Sequence, residues 1–81
     1  MKLSLSKRAL RDYENLFKRL QKTADKQFNF LLKNINYPSL RAKKYDEKRD
    51  IWQARLSKDW RFYFKIKQDI CHIITIIKHP K

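Results

Sequence analysis

The stretch "RFYFKIKQDICHIITIIKHPK", Arg61–Lys81, decides the fold class. Phe62, Phe64 and Ile66 alternate with Arg61, Tyr63, Lys65 and Lys67, the period-2 pattern of a half-buried strand over Arg61–Lys67. Gln68-Asp69 then forms a connection short enough for a hairpin. Ile70–Lys78 is apolar on both faces through Ile77 and reads as a buried return strand ending in Lys78 and His79. The chain has no glycine, although two-residue hairpin turns favour positive φ, and Asp69 is expected to supply that geometry. Just upstream, Ile51–Ser57 alternates again, with Trp52, Ala54 and Leu56 on one face and Gln53 and Arg55 on the other. Lys58-Asp59-Trp60 links it to Arg61. The C-terminal part is therefore a three-stranded antiparallel meander with one apolar face.

That face needs a cover, and the N-terminal half supplies it. In "MKLSLS", Leu3 and Leu5 alternate with polar neighbours as in a short strand, and Ser6 can cap a helix from Lys7. Ala9, Tyr13, Leu16, Phe17 and Leu20 form its apolar stripe, opposite Lys7, Arg8, Arg11, Lys18 and Arg19. A break is expected near Gln21-Lys22, with Thr23 capping a second helix whose stripe is Ala24, Phe28, Leu31, Leu32 and Ile35. Asn36 and Pro38 end it. The polar stretch "YPSLRAKKYDEKRD", Tyr37–Asp50, reads as a long loop, and loops of that length in compact domains are commonly functional. The expected architecture is α+β: an N-terminal strand, a helical hairpin, and the antiparallel meander on which the hairpin lies.

Composition bounds the function. A chain of 81 residues is expected to form one domain, 1–81, with one core. Hydrophobic residues at 42% and aromatics at 14% suffice for such a core and exclude a disordered basic tail. The net charge of +13 opposes folding and needs an anionic partner, nucleic acid before an acidic protein or a membrane surface. Cys71 is the one cysteine, inside an apolar run, with no disulfide or zinc partner. No apolar run is long enough for a signal peptide or a membrane span, so the expectation is a cytoplasmic protein. No clustered metal ligands and no glycine-rich phosphate loop occur, so neither a metal nor a cofactor is implied.

Period 2 puts Arg55, Arg61 and Tyr63 on the exposed sheet face, and His79 arrives there from the last strand. At this point "YPSLRAKKY", "IWQARLSKDWRFYF" and "IITIIKHP" together resemble the RelE/ParE superfamily of bacterial toxin–antitoxin toxins. The resemblance covers nearly the whole chain. It implies a compact α+β fold related to microbial ribonucleases, no cofactor, and an antitoxin partner encoded alongside. Many members cut mRNA on the ribosome, whereas the ParE branch poisons DNA gyrase without catalysis. Carried across, Arg61 matches the arginine set against the scissile phosphate, and Arg55 a basic position on the preceding strand. His79 matches the C-terminal histidine of several members, a candidate for proton transfer. Arg41, Lys43 and Lys44 fall in a loop where relatives carry basic or acid–base groups. Two departures stand out. Gln53 replaces a lysine or glutamate of some members and cannot act as a base, and Pro80-Lys81 stands where others continue with an aromatic residue or a further helix.

Each candidate has a plainer alternative. RNA cleavage needs a base for the 2′-hydroxyl, an acid for the leaving 5′-oxygen and cations for the phosphate; histidine can perform either proton transfer, and arginine can grip two phosphate oxygens. Against this, Arg61 could be a solvated strand residue, and Arg55 could pair with Asp59 or Asp50. His79 could fray at the chain end. His72 lies mid-strand with no obvious partner. Tyr63 and Trp60 could stack on bases or simply pack. The leading expectation is a metal-independent endoribonuclease acting on mRNA in the ribosome. Its rivals are a gyrase inhibitor and a basic RNA- or DNA-binding module.

Overall fold

The computed structural model describes residues 1–79. The chain runs β1 (Lys2–Leu5), α1 (Lys7–Glu14), α2 (Lys18–Lys33), a short 3-10 helix η1 (Pro38–Leu40), β2 (Lys43–Asp46), β3 (Ile51–Ser57), β4 (Trp60–Lys67) and β5 (Ile70–Lys78). The strands form one sheet in the order β1-β5-β4-β3-β2. β2 to β5 pair antiparallel, and β1 adds parallel to β5. The expected α+β class and meander are present, with β3 and β5 at their expected bounds. β4 starts one residue early, because Trp60 pairs with both Ser57 and Lys78.

The helix boundary differs from expectation. α1 stops at Glu14, and α2 begins at Lys18 and runs unbroken through Gln21, Lys22 and Thr23. Thr23 is no cap: its hydroxyl donates to the Arg19 carbonyl inside the helix. The corner lies at Asn15-Leu16-Phe17, where the Gln21 amide donates to the Tyr13 carbonyl and ties the two helices together. Leu16 turns into the core while Phe17 is left 79% exposed. Both residues fit the helical stripe, so periodicity alone passes straight through the corner. α2 ends at Lys33, before Ile35. Ser6 does cap α1, accepting from the Ala9 N–H at 3.0 Å and donating to the Ile74 carbonyl at 2.7 Å.

The supposed loop Tyr37–Asp50 is also more ordered than expected, since it contains η1 and the edge strand β2. β2 reads KKYD, with no apolar alternation to announce a strand, and lysines on an edge discourage further pairing. The opposite edge is closed differently. β1 pairs with β5 only from Ile70 to Ile73. Beyond that point Asp12 of α1 accepts from the Ile76 N–H (3.0 Å) and the Thr75 hydroxyl (2.7 Å). A carboxylate thus occupies a backbone donor that no strand covers.

Helices and sheet enclose one core in which Phe62, Phe64, Leu31, Leu40, Leu56, Ile73 and Cys71 are fully buried. Phe28 meets Phe62 edge-on at 5.1 Å between ring centres. Burial holds the Cys71 thiol up at about 12, so it stays protonated and acts as a small hydrophobe. A bulge between Tyr63 and Phe64 in the β4–β5 register flips the parity of β5. Cys71 and Ile73 face the core before it and Ile76 after it. Arg61 therefore stands opposite Ile77, and Tyr63 opposite Thr75, on the outer face.

The glycine-free turn between β4 and β5 puts Gln68 (φ 52°) and Asp69 (φ 61°) both in the left-handed region. This is the primed two-residue geometry that matches strand twist. A left-handed conformation costs an L-residue roughly 1–2 kcal/mol, partly offset by glycine's larger unfolded-state entropy. Gln68→Gly is therefore expected to stabilise the fold by about 0.5–1 kcal/mol, raising Tm by roughly 2–8 °C. A thermal melt checks this; an unchanged or lower Tm would mean that the Gln68 side chain holds the turn.

Candidate active site

On the outer face, neighbouring strands deliver basic residues in rows. Gln53 pairs with Lys43 on one side and Tyr63 on the other, and Arg55 pairs with Arg61. Arg41, Lys43, Gln53, Arg55, Arg61 and His79 line one cleft of about 260 Å³. Five of the sequence candidates thus converge: Arg61, Arg55, His79, Arg41 and Lys43.

Each is positioned by local structure. Arg61 Nη1 donates to the carbonyls of Ser57 (2.9 Å), Trp60 (2.9 Å) and Lys58 (3.2 Å). The β3–β4 turn thereby clamps one end of the guanidinium, while Nε and Nη2 have no protein partner among the described residues. Arg55 Nε makes a longer bond of 3.4 Å to the Ser57 carbonyl and pairs with neither Asp59 nor Asp50. His79 is tied through its backbone: its N–H donates to the Asp59 carbonyl at 2.6 Å, extending the strand by one bond. Arg41 adopts a left-handed conformation (φ 46°, ψ 42°) as it leaves η1, an uncommon state for a long side chain that tertiary contacts must hold in place.

The backbone on either side of the cleft is fixed by a residue the sequence does not advertise as functional. Gln27 sits in the apolar stripe of α2 and is 6% exposed. Its amide nitrogen donates to the Arg55 carbonyl (2.8 Å) and the Ser39 carbonyl (3.2 Å), and its oxygen accepts from the Ser39 hydroxyl (3.0 Å). One side chain therefore fixes β3 and η1 relative to each other, and with them the backbones that carry Arg55 and Arg41. The signal was a glutamine at a buried helical position between Ala24 and Leu31, where a leucine would ordinarily sit.

The other candidates lie elsewhere. Lys44 projects to the opposite side of β2, over the Trp52 ring at 4.7 Å and paired with Asp50. Trp60 packs against the core on the helix side, near Phe17 and Leu20. Tyr63 is half-buried beside the cleft, edge-on to Tyr45 at 4.8 Å. Its hydroxyl is held above its ordinary pKa by burial and then by Tyr45, with Arg61 pulling the other way. The exposed ring of this pair is Tyr45, at 60%. His72 pairs with Lys65 and Ser4 in mid-sheet, away from the cleft.

Among the described residues the ion pairs are Met1–Asp69, Lys44–Asp50 and Arg49–Asp46. None reaches the cleft, so Arg41, Lys43, Arg55 and Arg61 face it without a carboxylate. Such a concentration of unpaired cations attracts an anion rich in oxygen acceptors. The described residues hold no cluster of three or more metal-ligating side chains, and no helix among them is long and apolar enough to cross a membrane.

No protein-family model and no curated protein matches the sequence. Solved structures do match. A YoeB/ParE toxin from Agrobacterium tumefaciens aligns with a TM-score of 0.83 at 15% identity, over 99% of this chain and 100% of that one. The fold is that of the RelE and YoeB toxins. The isolated Escherichia coli RelE toxin aligns at 17% identity and TM-score 0.79, over 99% of this chain and 85% of that one. The toxin of a Staphylococcus aureus YoeB–YefM complex gives 14% and 0.80, over 99% and 98%. The architecture expected from the sequence resemblance is thus matched across the described chain.

Proposed function

We propose that this chain is the toxin of a type II toxin–antitoxin pair and that it cleaves mRNA on the ribosome. The observation that carries the proposal is the convergence of Arg55, Arg61 and His79 on one cleft lined by cations and free of carboxylates. The similar structures that are themselves toxin–antitoxin complexes support the first half. A pure inhibitor of another protein would have no need of an imidazole beside clamped guanidinium groups.

The chemistry follows from the groups at hand. The 2′-hydroxyl attacks the adjacent phosphorus and gives up its proton, and the 5′-oxygen leaves as it gains one. The products are a 2′,3′-cyclic phosphate and a 5′-hydroxyl. Arg61, held by the turn carbonyls, meets the phosphate with Nε and Nη2. Arg55 neutralises the second non-bridging oxygen as charge builds. His79 carries one proton transfer. Gln53 can orient a hydroxyl but not ionise, and Tyr45 on Tyr63 offers an aromatic face to a base. An acidic antitoxin segment covering the cleft would silence it, and the site of action is the cytoplasm.

Translation in vitro with message mapping tests this. The expected result is cuts in codon phase on ribosome-bound message, absent when the antitoxin is added. Intact message with arrested DNA supercoiling would favour a gyrase inhibitor instead.

A further inference from the structure

A second groove opens on the far side of the ridge formed by Arg41 and Arg55. Its volume is about 470 Å³, and it lies between α2 and η1, with Thr23, Lys26, Gln27, Ser39, Arg41 and Arg55 along it. Arg41 and Arg55 also line the first cleft, so the two depressions share a wall of guanidinium groups.

The polar groups in this groove divide into two kinds. Thr23, Gln27 and Ser39 spend their hydrogen bonds internally: Thr23 on Arg19, Ser39 on Gln27, and Gln27 on Ser39 and Arg55. What remains is charge. Lys26, Arg41 and Arg55 have no carboxylate partner among the described residues. Lys26 is steadied at the rim by the Phe30 ring, 5.9 Å from its ammonium, and Phe30 is itself stacked on Tyr37 at 3.9 Å. A groove with satisfied dipoles and unanswered cations suits a chain of regularly spaced single charges better than a ligand needing donor-by-donor recognition.

We propose that this groove holds the backbone phosphate next to the scissile one, with Lys26 as its main contact and Arg41 and Arg55 shared between the two phosphates. The inference rests on the cleft being an RNA site. It adds the path of the strand, which crosses the Arg41–Arg55 ridge and runs on between α2 and η1. The shared wall favours RNA over an acidic peptide, since a strand seated at Arg55 has its next phosphate within reach of the same ridge. Lys26 touches nothing in the cleft that would bond the scissile group.

The test uses fully 2′-O-methylated RNA, which cannot be cleaved, as a dinucleotide and as a hexanucleotide, with fluorescence anisotropy as readout. Lys26→Ala is expected to weaken hexanucleotide binding about fivefold or more at low salt. It should also lower the slope of log K against log salt by about 0.7, the value for one contact on a single strand. Dinucleotide binding should be unchanged. Lys33→Ala, which removes an exposed charge at the far end of α2, serves as control and should alter neither. Equal losses in both variants, or none in Lys26→Ala, would overturn the second phosphate site while leaving the cleft's role intact. A Lys26→Ala defect for polyglutamate but not for RNA would overturn it in favour of a protein-binding groove. Failure of the parent protein to bind either oligonucleotide, both free and paired in the codon site of a ribosome, would remove the RNA reading of the cleft, and this inference with it.

Discussion

Arg61→Ala should leave a folded protein that no longer arrests growth. Arg61 lies on the outer face between Phe62 and Trp60, so its loss opens no cavity in the core. The phosphate role proposed for it, by comparison with other preorganised donors, would be worth roughly 2–4 kcal/mol in the transition state, or about thirty- to a thousand-fold in rate. The same guanidinium also braces the β3–β4 turn through the carbonyls of Ser57, Lys58 and Trp60. Some stability should therefore go too, about 1 kcal/mol for partly exposed bonds of this kind. Arg61→Lys separates the two effects. It keeps a cation at the site but cannot hold the turn and two phosphate oxygens at once. The expected order of cleavage rates is parent, then lysine, then alanine, with circular dichroism showing all three folded. Full toxicity in a folded alanine variant would rule out the phosphate role.

His79→Gln should separate binding from chemistry. The side chain is exposed at the end of β5, and among the described residues the tie of His79 is its backbone bond to Asp59, which glutamine retains. Stability should change by less than about 1 kcal/mol. A general acid or base typically contributes on the order of a hundred- to ten-thousand-fold. The single-turnover rate on programmed ribosomes should fall within that range while ribosome affinity holds. A drop of less than about tenfold would shift the proton transfer to another group. Lys43 is the next candidate in the cleft. Lys44, equally plausible from sequence, is committed to Asp50 and the Trp52 ring.

What the sequence discloses, and what it conceals, follows from where the physical signal lies. β3 and β5 were legible because burial on one or both faces forces a pattern, and period 2 then put Arg55 and Arg61 side by side. β2 was not legible, because an edge strand of two lysines, a tyrosine and an aspartate carries no burial pattern. The helical corner was hidden for the opposite reason: Leu16 and Phe17 continue the apolar stripe, yet one is buried and the other exposed. Lys43 and Lys44 show the limit for the site. Adjacent strand residues point to opposite faces, and without β2 and its register nothing says which lysine meets the cleft. Gln27 has no place in any functional motif, yet a buried glutamine is costly unless its bonds are made, and those bonds locate the backbones of Arg55 and Arg41.

The most direct measurement is the chemistry of the RNA ends left by the purified protein on ribosomes programmed with a defined message. Attack by the 2′-hydroxyl within a cleft of arginines and one histidine predicts a 2′,3′-cyclic phosphate upstream and a 5′-hydroxyl downstream. These ends should appear with the parent protein and be absent with Arg61→Ala. A 5′-phosphate product would mean that water, not the 2′-hydroxyl, is the nucleophile. An uncut message on a stalled ribosome would contradict cleavage altogether.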